Sequence, residues 1–189
     1  MLAACTPPAS PTAMQYGKQW LKKVPKIVDL EKPIAAVCEI PAGSRCKYQL
    51  DKPTGHLKLG RVMAPDCSYP VDYGFVPRTL ASDGMEIDIL IMSSEPLLPL
   101  TIVECRIIGG FTLATSKEGT EPKLLAAALQ DPALGKVHSL EHVDHKLRER
   151  IERFFTTYKL VEHIETTFEG WADRPLALSW LEKAIAAAK

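Results

Sequence analysis

Ile34-Ala35-Ala36-Val37-Cys38-Glu39-Ile40, the turn Pro41-Ala42-Gly43, and Cys46-Lys47-Tyr48-Gln49-Leu50 mark where strand patterning takes over this chain. The first run is apolar apart from Glu39, and the second alternates with period two. Asp51-Lys52-Pro53-Thr54-Gly55 then reads as a turn, leading into Leu57-Lys58-Leu59 and Val62. Residues 68–75, 87–92, 101–108 and 111–114 supply further strands, with Gly109-Gly110 as a bend or bulge between the last two. Several short strands separated by polar turns predict a small closed antiparallel barrel.

The pattern changes again in the final third. Leu147, Ile151, Phe154, Phe155 and Tyr158 share one helical face. Asp173-Arg174-Pro175 reads as the N-cap and first turn of a second helix through Ile185. At the other end, residues 1–12 are rich in Pro, Ser and Thr and are expected to be mobile. Trp20, Leu21 and Val24 share a face of a candidate short helix within residues 13–30, which Pro25 stops. The expected organisation is therefore an N-terminal extension over 1–30 and one α+β, mainly β domain over 31–189.

The 189 residues carry 23 Lys plus Arg against 23 Asp plus Glu. That balance leaves no global basic field for a polyanion, so nucleic-acid binding is not expected. No apolar run approaches the ~20 residues of a membrane span. Five cysteines without a CxxC pair read as reduced, buried thiols and point to the cytoplasm. The alternative location comes from Leu2-Ala3-Ala4-Cys5 and the Pro-rich stretch after it, which resemble the end of a lipoprotein signal and its tether. A lipid-anchored, extracytoplasmic protein is the expectation if the true start lies upstream.

Several polar residues are poorly explained by folding alone. Asp83 and Asp88 flank a glycine turn at the mouth of a strand, where crowded carboxylates repel unless a cation offsets them. Oxygen ligands of this kind suit Mg²⁺, which takes one or two carboxylates plus water and phosphate oxygens. Glu39 interrupts an apolar strand, Lys47 and Gln49 point the same way, and Arg61 closes a strand. Tyr69 and Tyr73 bracket a proline turn, Glu121 and Lys123 share a face, and Tyr158-Lys159 end a helix. Carboxylates for cations beside lysine, arginine and phenol groups for phosphate oxygens suit phosphoryl transfer. His142 and His145 have a spacing that could hold a metal, but without clustered further ligands they read as a solvated face.

The order Glu39-Ile40-Pro41, Lys47-Tyr48, Arg61, Tyr69-Pro70-Val71-Asp72-Tyr73-Gly74, Asp83 to Asp88, Lys123 and Phe154-Phe155 to Tyr158-Lys159 resembles soluble family I inorganic pyrophosphatases. Phe168-Glu169-Gly170-Trp171 matches a further landmark, and the likeness spans roughly residues 30–185. It implies a five-stranded OB-type barrel with flanking C-terminal helices, Mg²⁺-dependent hydrolysis of pyrophosphate, and a homo-oligomer. It also implies Asp83, Asp88, Glu121 and Glu39 as metal ligands, and Lys47, Arg61, Tyr73, Lys123, Tyr158 and Lys159 on the phosphates. Asp88, Tyr73, Lys47 and Arg61 would be the catalytic group, and Tyr69 would support the site.

The chain departs from that pattern. Where the family reads Asp-x-Asp-Pro-x-Asp, the middle aspartate is Met85 and the proline is Glu86. Ser116-Lys117 stands for an acidic pair, Gln49 for a glutamate, and Glu121 for an aspartate. A site short of negative charge binds fewer divalent ions or binds them weakly. Glu86 and Glu118 are the neighbours able to compensate. Two expectations follow: a slow pyrophosphatase, or an inactive relative that binds phosphate compounds or a protein partner through the same cleft.

Overall fold

The computed structural model describes residues 21–116 and 119–188. Lys117, Glu118, Cys5 and the greater part of the expected N-terminal helix lie outside the described residues; Leu21–Lys23 forms one 3-10 turn.

Five strands close a ring. β1 (Ile34–Ile40) pairs with β4 (Asp72–Phe75), β4 with β5 (Asp88–Met92), β5 with β7 (Gly119–Ala128), β7 with β6 (Ile102–Thr115), and β6 returns to β1. This is the expected α+β fold with a five-stranded barrel, corrected in one respect. The β5–β7 seam is parallel while the other four are antiparallel. Parity requires it, because strand direction cannot alternate all the way round a closed ring of odd number.

Outside the ring, β2 (Cys46–Asp51) and β3 (His56–Val62) form a separate hairpin, and β8 (Thr166–Ala172) pairs with β6. Gly109 and Gly110 lie within the continuous β6, and the expected bulge sits there as a register shift between Ile107 and Gly109. A Cβ on Gly110 would sit 2.5 Å from the Lys123 carbonyl, so neighbouring strands need that glycine.

The barrel wall is buried on both sides. Ile89, Ile91, Leu124 and Ala126 join one core with Ala177, Leu181 and Ala184 of α2 (Arg174–Ala187). Alternate residues Leu90, Met92, Leu125 and Ala127 join a second core with Ile151, Phe154 and Phe155 of α1 (His145–Thr157). Strand alternation thus sends successive residues of β5 and β7 to one helix side or the other, while Val37 and Phe75 pack with Leu50 of the hairpin in a third cluster. Full burial of a side chain such as Phe155 is worth about 2–3 kcal/mol. α2 starts as read from sequence, with Asp173 capping Leu176 N–H at 3.0 Å and Pro175 in the first turn, and α1 is started by Asp144, which caps Leu147 N–H at 3.1 Å. Trp171 of β8 donates to Glu152 of α1 at 2.5 Å, which fixes that helix over the barrel.

Candidate active site

Two backbone irregularities aim the site. Register between β1 and β4 shifts between Cys38 and Ile40, leaving Glu39 as the extra residue of a bulge. A bulge turns its residue out of the strand's alternation, which explains a carboxylate inside an apolar run. The β2–β3 hairpin carries another, with Lys47 opposite Arg61 and Tyr48 opposite Leu59, so Gly60 is the extra residue. Ile87, just before β5, and Ile89 within it are buried in the core, while Glu86 and Asp88 line the cavity described next.

Glu39, Lys47, Glu86 and Asp88 line a cavity of about 150 Å³. Its acidic groups are Glu39, Asp83, Glu86, Asp88 and Glu121. Facing them are Lys47, Lys52, Lys123 and Lys159, with Tyr48, Tyr69, Tyr73 and Tyr158 between. Gln49 and Met85 are also in the wall, the latter 39% exposed.

Lys123 is the centre of this arrangement. Its ammonium lies 2.5 Å from Asp88, 3.4 Å from Glu121 and 3.5 Å from the Tyr73 hydroxyl, and its side chain is only 3% exposed. Burial alone would lower its pKa, but Asp88, with smaller contributions from Tyr158 and Glu121, holds it above the usual lysine value. Lys47 moves the other way, lowered by burial and then by the like charge of Arg61. Glu39 is pushed up to about 7, chiefly by burial; the Leu50 amide, donating at 2.6 Å, opposes this, while Asp88 and Glu86 add to it. Burial raises the phenols of Tyr69, Tyr73 and Tyr158, keeping them hydrogen-bond donors.

Of the ten residues expected in the site, nine line this cavity. Arg61 does not. Its guanidinium is ion-paired with Glu162, donates to the Tyr158 carbonyl at 3.4 Å and sits 5.6 Å from the Tyr158 ring. It lines a neighbouring cleft that shares Tyr69 and Tyr158 with the cavity. Asp83 accepts the Met85 amide at 2.9 Å, an Asx turn that orders the loop before β5. His142 and His145 contact Ser139 at 2.9 Å and Glu149 at 3.5 Å.

Three contributors were not singled out from sequence. Lys52, read as a turn residue, is ion-paired with Glu86 inside the cavity. Asp72 is fully buried and accepts the Ala42 and Leu97 amides at 2.8 and 3.0 Å, which anchors the loop after Glu39. Tyr48 lines the wall beside Lys47.

The sequence model described as inorganic pyrophosphatase matches residues 36–189. The chain belongs to the inorganic pyrophosphatase family. It is 36% identical to the inorganic pyrophosphatase of Thermus thermophilus over 167 residues, 87% of this chain and 91% of that one. The Streptomyces coelicolor protein of the same name is 38% identical over 148 residues, 77% and 90% of the two chains. Among solved structures, the Thermus thermophilus inorganic pyrophosphatase superposes with a TM-score of 0.81, at 33% identity and coverage of 87% and 95%. The Helicobacter pylori inorganic pyrophosphatase gives 0.82, at 32% identity and coverage of 88% and 98%.

The family is metal-dependent, and the charge pattern here fits a cation. Asp88 and Glu121 already converge on one positive centre, the Lys123 ammonium. Asp88 and Glu86 add to the burial that resists ionisation of Glu39, a repulsion a divalent ion relieves. As they stand, no three acidic, histidine or cysteine side chains among the described residues are grouped tightly enough to hold an ion by themselves. The donor set therefore suits an ion that takes its remaining ligands from water and substrate. No helix among the described residues is long and apolar enough to cross a membrane.

Proposed function

We propose that this chain hydrolyses inorganic pyrophosphate to two phosphates by Mg²⁺-assisted attack of water, more slowly than a relative with the full acidic set. The observation that carries this is the buried Lys123 ammonium between Asp88 and Glu121, within a cavity also lined by Lys47 and Lys159. A small anion carrying two phosphates meets both halves of that charge pattern: lysines for its oxygens, carboxylates for its counter-ions.

Asp83, Asp88, Glu121 and Glu39 are the residues that would hold Mg²⁺, whose chemistry is to neutralise phosphate charge and lower the pKa of bound water. Lys47, Lys123, Lys159, Tyr73 and Tyr158 hold phosphate oxygens, and Arg61 joins them by exchanging its Glu162 partner for substrate. Asp88 accepts a hydrogen bond from the attacking water, while Lys47, Arg61 and Tyr73 stabilise charge on the phosphoryl oxygens. Water oxygen bonds to one phosphorus, the bridging P–O bond breaks, and the second phosphate leaves, taking up the proton that the water loses. Residues 31–189 form the working unit, with 1–30 as an extension. Cytoplasmic location and homo-oligomeric assembly complete this reading.

One observation favours a second reading, an inactive protein that binds phosphate compounds or a partner. The apolar side chain of Met85 stands in the cavity wall where the family carries an aspartate. The two part in a phosphate-release assay with Mg²⁺ or Mn²⁺. Activity in the wild type that is lost in Asp88→Ala supports the enzyme; pyrophosphate binding without turnover supports the alternative.

A further inference from the structure

We propose that Glu86 is a metal-binding carboxylate replacing the one lost at position 85, and that Lys52 competes with the metal for it. The proposal deepens the pyrophosphatase reading and rests on it for the presence of a metal. It begins with placement. Ile87 is 1% exposed and its amide is held by the Thr79 hydroxyl at 3.0 Å, while the Met85 carbonyl accepts the Ala81 amide at 2.7 Å. Backbone bonds on both sides thus fix Glu86 in the loop before β5, where it lines the same cavity as Asp88.

The carboxylate does not point to bulk water. The Glu86 side chain is 17% exposed, lines the cavity and pairs with Lys52, itself 27% exposed. Glu39, Glu86 and Asp88 line the same cavity, so three carboxylates from two regions of the chain face one volume. Met85, by contrast, offers a thioether that Mg²⁺ does not take. Glu86 therefore returns one of the negative charges removed at Gln49 and Met85, from the adjacent position.

Lys52 gives the arrangement its particular behaviour. Its other close partner is the face of the Phe75 ring at 5.9 Å, which tolerates a neutral side chain. Removing the ammonium frees Glu86, whose side chain is 17% exposed at the cavity wall. An ion pair that merely braces the fold has no such effect on metal affinity.

The test is Mn²⁺ binding to the full chain without phosphate compounds, read as free Mn²⁺ by electron paramagnetic resonance. Glu86→Gln weakens binding about tenfold or more. Lys52→Gln tightens it about threefold, the size of releasing one partly exposed ion pair. The double variant matches Glu86→Gln, and Lys52→Arg matches wild type. Glu86→Pro, which restores the family residue, loses affinity as Glu86→Gln does and serves if the glutamine variant does not fold. Unchanged affinity in Lys52→Gln, or a double variant that binds more tightly than Glu86→Gln, overturns the proposal. Wild type that binds Mn²⁺ in this pattern yet releases no phosphate from pyrophosphate removes the activity reading and leaves the role of Glu86 standing.

Discussion

Replacing Asp88 with asparagine removes the carboxylate 2.5 Å from an ammonium that is almost wholly out of water. Losing one partner of a buried ion pair costs about 3–5 kcal/mol, because the survivor is left charged and desolvated. Two features reduce that figure. Glu121 remains 3.4 Å from Lys123, and the Asp88 side chain is 32% exposed, so water enters its place. The expected loss for Asp88→Asn is about 2–3 kcal/mol, or a fall in melting temperature of about 5–10 °C for a chain of this size. Lys123→Met removes the desolvated charge itself and leaves Asp88 able to hydrate, so it costs about 1 kcal/mol or less. Asp88→Asn combined with Lys123→Met then matches Lys123→Met alone, a coupling of about 2 kcal/mol. Urea unfolding of the four proteins in chelator measures all three quantities. Asp88→Asn within about 0.5 kcal/mol of wild type would refute the reasoning, because Lys123 would then not depend on that carboxylate.

Three further outcomes are expected. Gly74→Ala puts a Cβ 1.8 Å from the Val37 carbonyl oxygen, a clash between strand backbones, and lowers urea stability by about 3 kcal/mol or more. The Ser94 hydroxyl, then the Leu134, Ser94 and Ala133 amides, hold the Asp131 carboxyl well below its ordinary range. A lowered folded-state pKa gives stability present in full above the unfolded value of about 4 and lost as pH falls, so Asp131→Asn shows a smaller drop in melting temperature than wild type between pH 5 and 2. Met85→Asp restores an acceptor for the attacking water's proton and raises steady-state phosphate release about tenfold or more; no gain would mean that other groups already fill that role.

The strands were legible where short apolar or alternating runs end at turn residues, as in β1, β2 and β5, and the C-terminal helices from the apolar face of α1 and the Asp173-Arg174-Pro175 start of α2. Strand β7 was only partly so. Leu124-Leu125-Ala126-Ala127-Ala128 has helical propensity, yet lies between β5 and β6 where both faces are buried and small residues suit the packing. Strand β8 was seen as a landmark and not as a strand, since Gly170 and the exposed Glu169 break its apolar pattern. In the site, a local rule pointed to Glu39 because a charge inside an apolar run demands a bulge or a ligand. Arg61 was harder: its position depends on Glu162, a partner across the chain that no local pattern names. Lys52 was hidden for the same reason, reading as part of a turn until Glu86 was brought to it.

The central claim is that a cavity with fewer carboxylates than its relatives still turns over pyrophosphate with a divalent ion. Phosphate released from pyrophosphate by the wild-type chain, followed as Mg²⁺ is raised from zero, tests it most directly. No release in chelator and a saturable rise with Mg²⁺ are expected. A folded protein that releases no phosphate at any Mg²⁺ concentration contradicts it.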